Sequence, residues 1–278
     1  MAGVREGLVV RFFPRFLVTV ALLLAVGVII YRFPEWMFCL VVAALIGIGQ
    51  NEFFGMVDKK GVFVYRYFGI IAGILVPVVI FLGSGEAEVK NLEPLLIVGA
   101  SLFAFTLQFT RRDNGRDHLL SVALTLFSLF YICWFFSFIL KLRLMENGAN
   151  LVAFLILVTK SADIGAYLVG SMAGRTGLIP RISPKKTIEG TFGGVVLSVV
   201  IAMVLGPYLT GFHIWHLVVL GCVLAVFGQI GDLAESLIKR DCGVKDSGTY
   251  LPGIGGVMDL IDSLLFTAPF FFFYVTTF

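Results

Sequence analysis

Residues 214–240 read IWHLVVLGCVLAVFGQIGDLAESLIKR. The part up to Ile230 is an apolar run of the kind that crosses a bilayer, where a helix needs about 20 such residues. Charges then follow Gly231 at once. On a helix, Asp232, Glu235, Ser236 and Lys239 share one stripe, while Leu233, Leu237 and Ile238 take the opposite face. A solvated helix end stitched by i,i+4 pairs would explain that stripe. The membrane run, however, continues almost to Asp232 and places it at or below the interface, where an ionisable group usually marks a pathway or a site.

The same oily pattern recurs along all 278 residues. The chain is 59% hydrophobic and 14% charged, against roughly 25% charged in soluble domains. This composition excludes a disordered chain and indicates an all-α fold, a polytopic integral membrane helical bundle. Nine apolar segments are predicted, at about 16–31, 36–50, 67–83, 94–109, 118–140, 151–172, 191–210, 214–237 and 257–276. The second and fourth are short, which suggests a tilted or re-entrant course. The first follows Arg5, Arg11 and Arg15 as a signal peptide would, but no small-x-small cleavage site ends it, so it is read as a retained span. Cys39, Cys133, Cys222 and Cys242 have no ligand spacing and give neither a zinc site nor a disulfide framework.

The loops supply an orientation. Sixteen of the 21 Lys and Arg residues fall on one side of this arrangement, four (Arg32, Lys90, Lys141 and Arg143) fall on the other, and Lys160 lies inside a span. Cytoplasmic loops collect positive charge, so the N-terminus is expected inside and the C-terminus outside. Basic residues in short loops at a lipid surface do not point to nucleic acid. Residues 1–150 place almost no charge within spans and are read as scaffold or dimerisation helices. Residues 151–278 carry Lys160, Asp163, Asp232, Glu235, Asp259 and Asp262 in or at the ends of spans, and are read as the catalytic region.

Four constellations carry the chemistry. Beyond the 232–240 stripe, the loop 241–256 holds Lys245, Asp246 and five glycines; Gly255 and Gly256 open the last span, which contains Asp259 and Asp262. Glycines let a backbone turn tightly and approach a ligand. Oxygen ligands from Asp232 and Asp259, with Asp262 and Asp246 as further candidates, suit Mg²⁺ completed by water and phosphates. In the loop 174–190, GRTGLIPRISPKKTIEG, Ser183 is expected to cap a helix whose first position is Pro184. Lys185 and Lys186 would then sit at a phosphate-binding helix N-terminus, supported by Arg175 and Arg181. The plainer reading of that loop is a positive-inside anchor. In the sixth segment Lys160 and Asp163 can neutralise each other, and nearby glycines and alanines allow close packing. Elsewhere, Asn51 and Glu52 are expected to cap the end of the second segment. Arg111, Arg112, Asp113, Arg116 and Asp117 read as a solvated interfacial cluster. His118, His213 and His216 are too separated for a metal site.

The C-terminal motifs resemble those of phosphatidate cytidylyltransferases (CDP-diacylglycerol synthases). Ser236-Leu-Ile-Lys239-Arg240-x4-Lys245-Asp246-Ser247-Gly248-x3-Pro252-Gly253-x-Gly255-Gly256-x2-Asp259-x2-Asp262 is similar to the family signature. So are Asp163-x-Gly165-Ala166-Tyr167 and Arg181-Ile-Ser183-Pro184-Lys185-Lys186-Thr187-x-Glu189-Gly190. Ile254 and Leu260 stand where the family commonly has His and Arg. The resemblance implies condensation of CTP with phosphatidate to CDP-diacylglycerol and pyrophosphate, with Mg²⁺ and a second cation such as K⁺. It implies a homodimer in the bacterial inner membrane, its active site on the cytoplasmic side. Asp232, Asp246, Asp259, Lys239 and Lys245 are the implied catalytic residues. Asp163, Tyr167, Arg181, Ser183, Lys185, Lys186, Thr187, Ser236, Arg240, Gly255 and Gly256 are the implied substrate contacts. The rival readings are a CTP-dependent polyprenol or diacylglycerol kinase, a CDP-archaeol-type synthase, and a transporter. Clustering of charge on one side, with no paired broken-helix repeat, argues against the transporter.

Overall fold

A computed structural model describes residues 24–84, 92–111, 117–248 and 255–278. Arg5, Arg11, Arg15, Lys90, Arg112, Asp113, Arg116, Pro252, Gly253, Ile254 and the start of the first apolar segment lie outside the described residues. Helix α1 covers 24–32. It is followed by α2 (Glu35–Lys59), α3 (Arg66–Gly83), α4 (Leu92–Thr110), α5 (His118–Arg143) and α6 (Gly148–Ala173). After a two-stranded hairpin come α7 (Ile188–Leu209), α8 (Ile214–Asp241) and α9 (Met258–Thr277). Among the described residues, α2 to α9 are eight helices long and apolar enough to cross a membrane.

Two helices differ from the sequence reading. The second apolar segment was expected to stop near residue 50, yet α2 runs 25 residues to Lys59. Asn51 and Glu52 look like a helix end, but Glu52 and its neighbour Gln50 are buried against protein rather than facing water. Gln50 donates to Ser128 on α5 at 3.2 Å, and Glu52 binds the start of α9. Glu52 therefore does cap a helix, but not its own. The fourth segment forms a continuous 19-residue helix, about 28 Å long at 1.5 Å per residue, which matches a hydrocarbon core of about 30 Å. Neither helix is re-entrant. Helix α5 contains one π-helical turn at Leu129–Trp134.

The loop between α6 and α7 corrects a second expectation. Ser183 does not cap a helix. Ser183–Thr187 is a strand, β2, paired antiparallel with β1 (Gly177–Ile179), with Thr187 opposite Gly177 and Ser183 opposite Ile179. The helix begins at Ile188, and its cap is Thr187, whose hydroxyl accepts the Gly190 amide at 3.1 Å. Glu189 closes the hairpin by accepting the Arg175 and Thr176 amides at 3.1 and 3.2 Å. The cap, together with a carboxylate that binds the preceding strand, moves the helix start four residues past the proline. Lys185 and Lys186 thus project from a strand.

Lipid gives no hydrophobic drive for helices to associate, so close packing of small residues does the work. The α6–α7 seam is made this way, with Ala162, Gly165 and Ala166 facing Gly190, Gly193 and Gly194. A methyl at Gly165 would lie 2.7 Å from the Gly193 carbonyl. Helices α8 and α9 meet as closely at Gly231, where a methyl would collide with the Asp262 carbonyl. Arg66 clamps α3 to α2, reaching Asn51 Oδ1 at 2.6 Å and Asp58 Oδ2 at 3.0 Å. Helix α4 stands apart: Ala104 is its one buried residue, and Glu93 fastens its start to Trp134 and Lys141 of α5 at 2.8 and 2.7 Å.

Gly165→Leu is expected to destabilise the bundle by about 1–3 kcal/mol, the usual overpacking cost. Gly99→Leu on α4, where an added methyl meets nothing within 4 Å, should leave stability unchanged. Thermal unfolding of both variants in detergent checks the contrast.

Candidate active site

The helix seams bring remote charges together at one end of the bundle. On α6, Lys160 and Asp163 lie one turn apart, with Nζ 3.3 Å from Oδ2. Lys160 also donates to Ser263 on α9 at 2.8 Å. From β2, Lys186 reaches Asp232 Oδ2 on α8 at 3.1 Å. Because the α8 backbone touches α9 at Gly231, against the Asp262 carbonyl, Asp232 and Asp262 lie on directly packed stretches of the two helices. Asp163, Asp232 and Asp262 set three carboxyl groups beside the ammonium groups of Lys160 and Lys186. The side chains of Asp163 and Asp232 are 29% and 22% exposed, so solvent screens them only in part.

Of these groups, Asp163, Lys186 and Asp232 open onto a cleft of about 290 Å³. Asp163 and Tyr167 line it from α6, Ser183, Lys185, Lys186 and Thr187 from β2, and Asp232 from α8. All seven were singled out in the sequence from three separate segments. Gly190, Thr191 and Gln229 complete the wall; the sequence reading missed Thr191 and Gln229, which carry no charge and lie within apolar runs.

Asp259 belongs to a neighbouring cluster. Its Oδ1 is 2.5 Å from Lys239 Nζ. Its Oδ2 accepts from the Ser247 hydroxyl and the Gly256 amide, both at 2.8 Å. Lys239 also binds Glu235 at 2.7 Å. The residue of α9 packed against the Gly231–Asp232 stretch of α8 is Asp262, while Asp259 is engaged by Lys239, Ser247 and Gly256. Asp259, in the first turn of the helix, turns back to the Gly256 amide and Ser247 of the preceding loop, whereas Asp262, nearly one turn on, lies at the contact with α8. Gly255 has φ +120°, a conformation for which glycine is suited.

Glu52 of α2 is the functional candidate least visible in the sequence. It accepts from Val257 N at 2.9 Å, Met258 N at 2.8 Å and the Ser247 hydroxyl at 3.2 Å. The first amides of a helix have no partner within it, and Glu52 supplies one. The available signal was the apolar pattern resuming immediately after it, Phe53-Phe54-Gly55-Met56-Val57.

The remaining candidates sit around the mouth. Ser236 is half-buried one turn beyond Asp232, while Arg181, Lys245 and Asp246 are exposed. Arg240 ties the end of α8 to the hairpin through the Ile182 carbonyl at 3.4 Å. Leu260 packs against the apolar core.

Among the described residues no three His, Cys, Asp or Glu side chains form a ready metal shell. The carboxyls of Asp232 and Asp262 nevertheless suit a hard divalent cation. They offer oxygen donors, repel each other without a positive charge between them, and leave coordination positions for phosphate and water.

Residues 13–278 match the model of the cytidylyltransferase family. The chain is 43% identical over 152 residues to an uncharacterized protein, YnbB, of Escherichia coli K12, covering 55% of this chain and 50% of that one. It is 33% identical over 202 residues to a phosphatidate cytidylyltransferase of Staphylococcus saprophyticus, covering 72% of this chain and 76% of the relative. A phosphatidate cytidylyltransferase of Staphylococcus epidermidis is 39% identical over 164 residues, 59% of this chain and 62% of the relative. With a family match running from residue 13 to the last residue, and charged motifs from three segments meeting in one cleft, the chain belongs to the cytidylyltransferase family.

Proposed function

We propose that this protein joins CTP to phosphatidate, giving CDP-diacylglycerol and pyrophosphate. The observation that carries the reading is the single cleft at the end of membrane helices, lined by Lys185, Lys186, Asp163 and Asp232. A soluble nucleotide and a lipid headgroup can meet there while acyl chains stay in the bilayer. The staphylococcal relatives bearing the name phosphatidate cytidylyltransferase support the choice of substrates.

In the reaction a phosphate oxygen of the lipid attacks the α-phosphorus of CTP. The bond from that phosphorus to the oxygen bridging to the β-phosphate breaks, and pyrophosphate departs. Both reactants are anionic, so neutralisation and alignment dominate catalysis. The attacking phosphate is already ionised at neutral pH and needs no strong base. Lys185 and Lys186 meet the phosphates from β2, and Lys186 can exchange its hold on Asp232 for a phosphate oxygen. Lys160 keeps Asp163 oriented at the floor. Asp232 and Asp262 would hold Mg²⁺, with Asp259 in support through Lys239; when bound, the ion neutralises phosphate charge and stabilises the leaving group. Arg181, Arg240, Lys245 and Asp246 form the charged rim through which the triphosphate enters. Tyr167, Ser183, Thr187, Ser236, Gly255 and Gly256 are assigned to substrate contact or loop shape.

The same proposal places the cleft on the cytoplasmic side of a bacterial inner membrane, because the basic loops share its side. A homodimer and a second cation such as K⁺ follow from the family resemblance, and the division into scaffold (1–150) and catalytic region (151–278) from the charges that only the later spans carry.

Purified protein supplied with labelled CTP, phosphatidate and Mg²⁺ should release pyrophosphate and form the CDP-lipid in equal amounts. Release of CDP with a phosphorylated lipid would instead identify a kinase. Asp232→Asn and Asp262→Asn should each lower kcat about 10²–10³-fold without altering membrane insertion; normal CMP transfer in both would overturn the ion assignment. Lys186→Ala should raise the KM for CTP about tenfold, the loss of one charge-assisted contact, measured by initial rates at varied CTP.

A further inference from the structure

Glu52 lies 195 to 206 residues from its hydrogen-bond partners in sequence and carries none of the family signature quoted above. It is 4% exposed. Its carboxylate gathers three donors from the far half of the chain: the amides of Val257 and Met258 and the hydroxyl of Ser247. That hydroxyl also reaches Asp259 Oδ2 at 2.8 Å. The backbone closes tightly on the same carboxylate, since a methyl at Gly256 would lie 2.5 Å from Glu52 Oε2 and one at Gly248 would also strike it. Both ends of the loop between α8 and α9 thus rest on one side chain of α2. Met258 begins α9, and Asp262 lies four residues on, about one turn, at the backbone contact with Gly231 and so beside Asp232.

We propose that Glu52 is a positioning residue for nucleotidyl transfer. It fixes the first turn of α9 and the loop end at Ser247, and through them the separation of the Asp232 and Asp262 carboxyls. The helix dipole at the α9 N-terminus favours its negative charge, so the contact holds without a cation. The inference rests on the cytidylyltransferase reading. A simple structural cap would affect only how much protein folds. A positioning residue changes what the folded protein does, because small displacements of catalytic groups cost up to roughly 10²-fold in rate.

The test compares Glu52→Gln, Ser247→Ala, their double variant and Asp58→Asn. Asp58 sits on the same helix and pairs with Arg66, so its variant serves as a control. Three readouts are taken: hydrogen exchange at the Val257 and Met258 amides, the shift of Tm on adding Mg²⁺ without substrates, and kcat per folded protein against Mg²⁺ concentration. Glu52→Gln should speed exchange at both amides, shrink the Mg²⁺-induced Tm shift and lower kcat roughly 10–100-fold. Asp58→Asn should match the wild type. Ser247→Ala should move each readout in the same direction by less, and the double variant should be no worse than Glu52→Gln, as expected for one network. A Glu52→Gln protein with wild-type kcat per folded molecule and a wild-type Mg²⁺ shift overturns the proposal. If Glu52→Gln does not fold, a wild-type Mg²⁺ shift and kcat in Ser247→Ala overturn it. Failure of the underlying reading shows separately, as a wild type that makes no CDP-lipid.

Discussion

The site depends on how closely α8 approaches α9. At Gly231 the two backbones touch, and that contact sets Asp232 beside Asp262. Like charges repel more strongly where water is scarce, so such a pair calls for positive charge nearby. Lys186 meets Asp232 directly, and Lys160 holds Asp163 and Ser263 alongside. The first lysine comes from the hairpin and the second from α6. Balancing the acids therefore fastens two more elements to the helix pair. The glycine seam between α6 and α7 sets where the hairpin emerges, and hence where Lys186 can reach.

Helix positions were largely legible because membrane spans obey one strong rule, satisfaction of every backbone group within the segment. Eight expected spans have a matching helix among the described residues. Errors arose where polar residues were taken to mean water. Asn51 and Glu52 read as an end, yet Asn51 meets Arg66 and Glu52 is buried in protein contacts. Such contacts join residues far apart in sequence, and no local pattern reveals them. The helix predicted to start at Pro184 failed for a related reason. Proline suits a first turn in isolation, but here strand pairing with Gly177–Ile179 and the Thr187 cap decide the boundary.

At the site, residue types were easier to infer than pairings. Charge inside an oily chain is rare enough to notice, and Asp163, Lys186 and Asp232 were singled out without coordinates. Which carboxylate faces which is a matter of helix rotation. Asp259 and Asp262 are three residues apart, about 300° around the helix at 3.6 residues per turn. One serves the loop and the other sits at the contact with α8, a distinction that spacing alone does not make. Neutral Thr191 and Gln229 gave no signal at all.

Helix α4 has a different consequence. With Ala104 its one buried residue and its start pinned through Glu93, most of its surface meets only the surrounding hydrocarbon. Oily side chains there are interchangeable so long as length and polarity are kept. Descendants of a common ancestor can therefore drift apart along this helix while α8 and α9 stay recognisable, and kinship within such a lineage is better traced through the cleft than through the whole chain.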